Sequence, residues 1–175
     1  IAAGEVSKYD ASLVIGGVNL INRHDELKNT IVGTNATVSS YANNSTINGY
    51  ITVKAGEPII LSKVSEAADN YFRYAFYDDS DNVILRQASS SNLVSLTTPE
   101  NATRFRVSYP TVSSVQAERG TKATAIAPSP ADVQNQLDAN ATAITNTNAE
   151  VARVDGRVTT AVSYTHLTLP TICSV

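Results

Sequence analysis

Tyr71-Phe72-Arg73-Tyr74-Ala75-Phe76-Tyr77 is followed by Asp78-Asp79-Ser80-Asp81-Asn82 and then by Val83-Ile84-Leu85. A period of two places Phe72, Tyr74 and Phe76 on one face of a strand and Tyr71, Arg73 and Tyr77 on the other. The acidic, Ser- and Asn-containing run is turn chemistry, and the apolar run after it predicts a hairpin partner. Further along, Phe105, Val107 and Tyr109 alternate with Arg104, Arg106 and Ser108, the pattern of a half-buried strand. Upstream, Tyr50-Ile51-Thr52-Val53 and Ile59-Ile60-Leu61 flank the turn signal Ala55-Gly56-Glu57-Pro58. About eight to ten strands of this kind predict a mainly β chain, a jelly-roll-like antiparallel β-sandwich of two sheets. A domain of that size buries enough apolar surface to hold without covalent staples.

The pattern changes at Pro128-Ser129-Pro130. Proline cannot join a ladder, so this hinge ends the sandwich, and Ala131-Asp132 is placed to cap a helix. Leu137, Ile144, Val151 and Val158 then recur every seventh residue at heptad position a, with Val133, Asn140, Thr147 and Val154 at position d. So narrow an apolar seam demands partner helices. β-branched residues at a, with polar residues at some d positions, predict a trimeric coiled coil in which Asn140 and Thr147 fix the register. The alternative is a helix packed along its own sandwich. Gly156 weakens the helix near its end by about 1 kcal/mol relative to alanine. The expected organisation is therefore 1–12 as a linker or the end of a preceding module, 13–127 as sandwich, 128–161 as hinge and coiled coil, and 162–175 as a separate tail.

That tail, Val162-Ser163-Tyr164-Thr165-His166-Leu167-Thr168-Leu169-Pro170-Thr171, resembles a translated transposon-end sequencing adapter read in frame. The resemblance implies a metagenomic fragment whose native chain continues past about Ala161. The first residue is Ile1, which carries the same implication for the other end. The single cysteine, Cys173, falls inside the adapter-like stretch, so disulfide, thiol and cysteine-zinc chemistry are not expected.

Several segments carry a family resemblance when taken in order. They are Asn19-Leu20-Ile21, Gly49-Tyr50-Ile51-Thr52-Val53-Lys54-Ala55-Gly56, Arg73-Tyr74-Ala75-Phe76-Tyr77-Asp78, Thr98-Pro99-Glu100-Asn101-Ala102, Arg104-Phe105-Arg106-Val107 and Glu118-Arg119-Gly120-Thr121-Lys122-Ala123-Thr124. Together they resemble the β-sandwich modules of phage tail and baseplate proteins, which look like carbohydrate-binding domains. The resemblance spans nearly all of 13–129, and Ala3-Gly4-Glu5-Val6-Ser7-Lys8-Tyr9-Asp10-Ala11 looks like the closing segment of a preceding module. It implies a virion protein that pairs with itself as a homotrimer, with other tail proteins and with bacterial surface glycan. A trimeric bacterial surface adhesin stalk and a non-catalytic accessory module of a polysaccharide depolymerase are the alternatives.

The chemistry-bearing residues are few. Lys and Arg number 13 against 16 Asp and Glu, for a formal net charge of −3, and they are scattered, so nucleic acid is not an expected partner. No apolar run approaches the roughly 20 residues of a membrane span. Asp78, Asp79 and Asp81 lack the glycine and distant glutamate of an EF-hand and read as a solvated turn. His24 stands beside Asp25 with no second ligand and no nucleophile motif. Glu57, Glu66, Glu100 and Glu118 sit mostly beside Gly, Pro or Asn in apparent turns. The expectation is a protein that is not an enzyme, with no catalytic residue, metal or cofactor. If Phe72, Tyr74 and Phe76 fill the core, Tyr71, Arg73 and Tyr77 form a face that either stacks on a sugar ring or is covered by loops.

Overall fold

The structure, a computed structural model, describes residues 17–167, with side chains to Tyr164. The predicted preceding-module segment, Cys173 and the end of the adapter-like tail lie outside the described residues. Within them the chain forms β1 (Leu27–Val32), β2 (Val38–Thr46), β3 (Ile51–Thr52), β4 (Pro58–Val64), β5 (Phe72–Tyr77), β6 (Val83–Ser89), β7 (Leu93–Thr97), β8 (Arg104–Pro110), β9 (Ser114–Arg119) and a helix, α1 (Pro130–Leu167). One sheet runs β1-β2-β8-β5-β6 with β3 also on β8, the other β7-β4-β9, and every paired strand is antiparallel. The mainly β, sandwich-like architecture is the predicted one.

Alternation decides what each sheet buries. Phe72, Tyr74 and Phe76 of β5 and Phe105, Val107 and Tyr109 of β8 share one buried cluster with Ile59 and Leu61 of β4 and Val115 and Ala117 of β9. The two inner faces therefore meet in a single core. Its centre is aromatic: the Phe76 and Phe105 rings lie 4.8 Å apart, with Tyr74 6.2 Å from Phe105.

β8 organises the larger sheet because its one edge is shared by two short partners. Asn44–Thr46 of β2 pair with one end and β3 pairs with the other. Between them Ile47 donates its N–H to the Val107 carbonyl at 3.1 Å. The turn after β3 closes through the Glu57 N–H on the Lys54 carbonyl at 3.0 Å, with Gly56 at φ 75°. It does not join paired strands: β3 belongs to one sheet and β4 to the other. Between β5 and β6 the predicted hairpin is present. Asp78 Oδ1 accepts the Ser80 and Asn82 N–H groups at 2.8 and 2.9 Å. The hydrogen bonds from Asn82 hold the Asp78 carboxyl below its ordinary range. Asp81 pairs with Arg104 and Asp79 accepts the Thr103 hydroxyl, so each carboxylate of the run has a local partner.

Glu118 departs from its expected place in a turn. It is fully buried in β9, where its two oxygens take the Thr124 N–H at 2.8 Å and hydroxyl at 2.7 Å. Gln116 takes the Ala127 N–H at 2.9 Å. The segment after β9 is thus strapped across the outer face of the smaller sheet by side chains instead of a ladder.

Lys63 of β4 is 2% exposed, its Nζ 2.8 Å from the Ser91 carbonyl and 4.2 Å from the centre of the Phe72 ring. Burial pushes its ammonium down to about 8. Because the folded state holds this proton less tightly than the unfolded chain, stability is greatest where Lys63 is neutral and falls as pH drops through about 8. Tyr74, Tyr77 and Tyr109 act oppositely: burial first of all raises each, so their contribution is lost as pH rises above the ordinary tyrosine value. The urea midpoint is expected to climb from about pH 8 to about pH 10 and then fall. Lys63→Met should flatten the climb, and parallel profiles for the two proteins would remove Lys63 as its cause.

The helix begins one step earlier than expected. Ser129, not Ala131-Asp132, is the cap: its Oγ accepts the Asp132 N–H at 3.1 Å, while Asp132 Oδ2 takes the Ser129 hydroxyl at 2.8 Å and N–H at 3.3 Å. Pro130 occupies the first helical position, where its missing N–H costs nothing. Asp132 Oδ1 also accepts the Arg23 and His24 N–H groups at 2.9 and 3.0 Å. One carboxylate therefore serves the cap and the segment before β1. Asp132→Ala is expected to cost about 1–3 kcal/mol in urea unfolding, with Asp132→Asn intermediate. An unchanged midpoint would show that these bonds are not made in solution.

Beyond Val133 the helix is a unit of its own. Every residue from Gln136 to Tyr164 is exposed, including Leu137 at 56% and Ile144 and Val151 at 61%. Thr142, Thr145 and Thr147 each return the hydroxyl to the carbonyl four residues back. Helix continues through Val162, where the separate tail was expected, to Leu167. Among the described residues no helix is long and apolar enough to cross a membrane.

Candidate functional site

The feature that builds a site is a break in the β1–β2 ladder. Lys28 pairs with Ser45 and Thr30 with Ser40, so Asn29 alone stands against Tyr41, Ala42, Asn43 and Asn44. The surplus on β2 arches outward. Asn29 and Asn43 take left-handed conformations at φ 56° and 62°, which asparagine tolerates better than most residues. The arch is tied down on both sides: the Thr111 N–H donates to the Asn43 carbonyl at 3.0 Å, and Asn44 Nδ2 donates to Asp69 at 3.0 Å. Bulges of this kind redirect side chains. Here the redirected one is Tyr41, 43% exposed.

Arg73 of β5 reaches the back of this arch. Its guanidinium lies 5.0 Å from the Tyr41 ring centre and 5.3 Å from that of Tyr71, itself 42% exposed. Asp69 anchors it at 2.8 Å and Asn44 Oδ1 at 3.4 Å. Burial acts to raise the Asp69 carboxyl, but the hydrogen bonds from Arg73 and Asn44, the Arg73 charge and the Tyr41 hydroxyl outweigh it and hold it below the ordinary range. The result is a fixed stack of two tyrosines around one arginine whose charge is already matched.

Beside the stack lies an open groove of about 640 Å³, within the usual range for small-molecule sites. The β2 arch and Asn29 form one wall, the β4–β5 loop with Ala67, Ala68 and Asp69 another, and Thr111 and Val112 the rim. Val112 is 79% exposed.

The face expected to carry Tyr71, Arg73 and Tyr77 is thus divided. Tyr71 and Arg73 come together in the stack with Tyr41, and of the three only Tyr41 lines the groove. Tyr77 does not join them: it is 3% exposed, beneath the loop between β1 and β2, where its hydroxyl donates to the Ala36 carbonyl and its ring meets Tyr50 edge-on at 5.1 Å. Loop cover claims one end of the strand and leaves the other open. Tyr41 was missed. A lone large aromatic in Val38-Ser39-Ser40-Tyr41-Ala42-Asn43-Asn44 was the available signal.

Elsewhere His24 is exposed, and its backbone N–H is what bonds to Asp132. Among the described residues no group of three or more His, Cys, Asp or Glu is placed to hold a metal. No family model, curated protein or solved structure matches the chain.

Proposed function

We propose that the chain is a structural module of a phage tail fibre or baseplate protein, a spacer and trimeriser that also contacts host surface glycan. The observation that carries this reading is α1. Its large apolar side chains before Val162 are Val133, Leu137, Ile144, Val151, Val154 and Val158, all in the heptad seam and all exposed. A helix of 38 residues, about 57 Å long, with its large apolar residues before Val162 in one stripe and mostly alanine and polar residues elsewhere is a stalk looking for copies of itself. The sandwich is read as jelly-roll-like because long connections bring β8 between β2 and β5, and β9 beside β4. In the virion the module would act without catalysis, joined to other tail proteins. Tyr41 and Tyr71, the two exposed rings packed on Arg73, are the proposed contact with sugar, with Arg73 holding them in place, and threefold display would raise a weak affinity through avidity. The test is the solution mass of the full chain by light scattering. A mass three times that of one chain supports the reading, and a monomer removes the trimeriser from it.

A further inference from the structure

The groove between the β2 arch and the β4–β5 loop points to a more definite ligand. Resting on the glycan reading above, we infer that it takes an uncharged, N-acetylated sugar, with Tyr41 as the platform.

Charge narrows the choice first. Among the described residues the only ionised side chain lining the groove is Asp69, a carboxylate whose two oxygens already accept from Arg73 and Asn44. Arg73 stands behind the Tyr41 ring and outside the lining. A uronic or sialic acid would meet a like charge with no free cation, so acidic sugars are disfavoured.

The lining then separates an acetamido sugar from a plain hexose. Asn43 has a side-chain amide with no hydrogen-bond partner among the described residues, and Asn29 uses only its oxygen, for the Asn43 N–H at 3.4 Å. These amides can donate to and accept from an acetamido N–H and carbonyl. Ala42, Ala67, Ala68 and Val112 add an apolar rim of methyl-sized patches. A hexose bearing only hydroxyls has nothing to place there, whereas the acetamido methyl does. The Tyr41 ring, one face taken by Arg73 and the residue still 43% exposed, remains open to the apolar face of the pyranose.

The test is saturation-transfer NMR on the full chain with N,N′-diacetylchitobiose, cellobiose and digalacturonate. The first should give signals strongest at the acetamido methyl, and the other two should give far weaker ones. Tyr41→Ala should weaken binding about tenfold. Val112→Asp, at an exposed rim position that leaves the Arg73 stack intact, should weaken it severalfold. Equal signals from cellobiose would overturn the acetamido assignment and leave the glycan reading standing. Diacetylchitobiose binding unchanged in both variants would overturn the groove as its site. No signal from any of the three sugars would overturn both this inference and the glycan part of the proposed function.

Discussion

Replacing Ile144 and Val151 together with glutamate is expected to convert the proposed trimer to a monomer while leaving the β-sandwich folded. Both side chains are 61% exposed on the single chain, so the substitution removes nothing the chain buries by itself. Glutamate is also a better helix former than either β-branched residue, and α1 should lose no intrinsic stability. The whole effect falls on association. In a three-helix seam each apolar residue would bury its side chain for about 1.5–3 kcal/mol, and each layer contains three copies. Glutamate forfeits that and brings three like charges to one axis, where desolvation alone costs several kcal/mol per ion. β-branched residues at both a and d favour three strands over two, and Val154 and Val158 provide them. Thr147 already satisfies its hydroxyl on Ala143, so it can present its methyl inward at little desolvation cost. Light scattering checks the result, with unchanged sandwich unfolding as the control. A variant that stays trimeric would show that the contacts between copies lie outside the seam.

The seam was readable because a seven-residue period is local, and the helix follows it. The same holds for β5 and β8, where strict alternation picked out Phe72, Tyr74, Phe76, Phe105, Val107 and Tyr109 as core. What alternation cannot give is the cover on the second face. Tyr77 and Arg73 share a face by period, yet the loop carrying Ala36, some forty residues away in sequence, closes over one and not the other. Glu118 failed for a similar reason. Its neighbour Gly120 signals a turn, but the buried carboxylate is stabilised by Thr124, a partner that only the folded strap supplies. The β2 arch was the least legible element. It exists because β1 is short of residues opposite it, a register mismatch that neither strand displays alone. The groove and Tyr41 follow from that mismatch, which is why the candidate site was only half visible in the sequence.

Phe105→Ala is the substitution expected to cost the sandwich most. The residue is fully buried near the start of β8, opposite Phe76 on one neighbouring strand and Ile51 on the other. Its ring meets Phe76 at 4.8 Å with a 41° tilt. Truncation removes the transfer energy of a benzyl group and leaves a cavity between two sheets whose hydrogen-bonded ladders resist collapse. Such changes cost about 3–5 kcal/mol, a large share of the roughly 5–15 kcal/mol that holds a domain of this size. On that scale the melting temperature falls by about 15–25 °C. Tyr71→Ala, on a ring 42% exposed, should stay within about 0.5 kcal/mol and serves as the control. A cycle with Phe76→Ala should return a coupling of about 0.5–1.5 kcal/mol for the ring pair. Urea unfolding at fixed protein concentration measures all three, since association through α1 would otherwise make the midpoint drift. A loss below about 1 kcal/mol for Phe105→Ala would mean that the aromatic centre is not where the sheets are held together. The arch and its groove ride on β2 and the loop before β5, both anchored to β8 or its neighbour. The same substitution should therefore weaken the proposed sugar binding in proportion to the population unfolded, whereas Tyr41→Ala should weaken it with a far smaller shift of the midpoint.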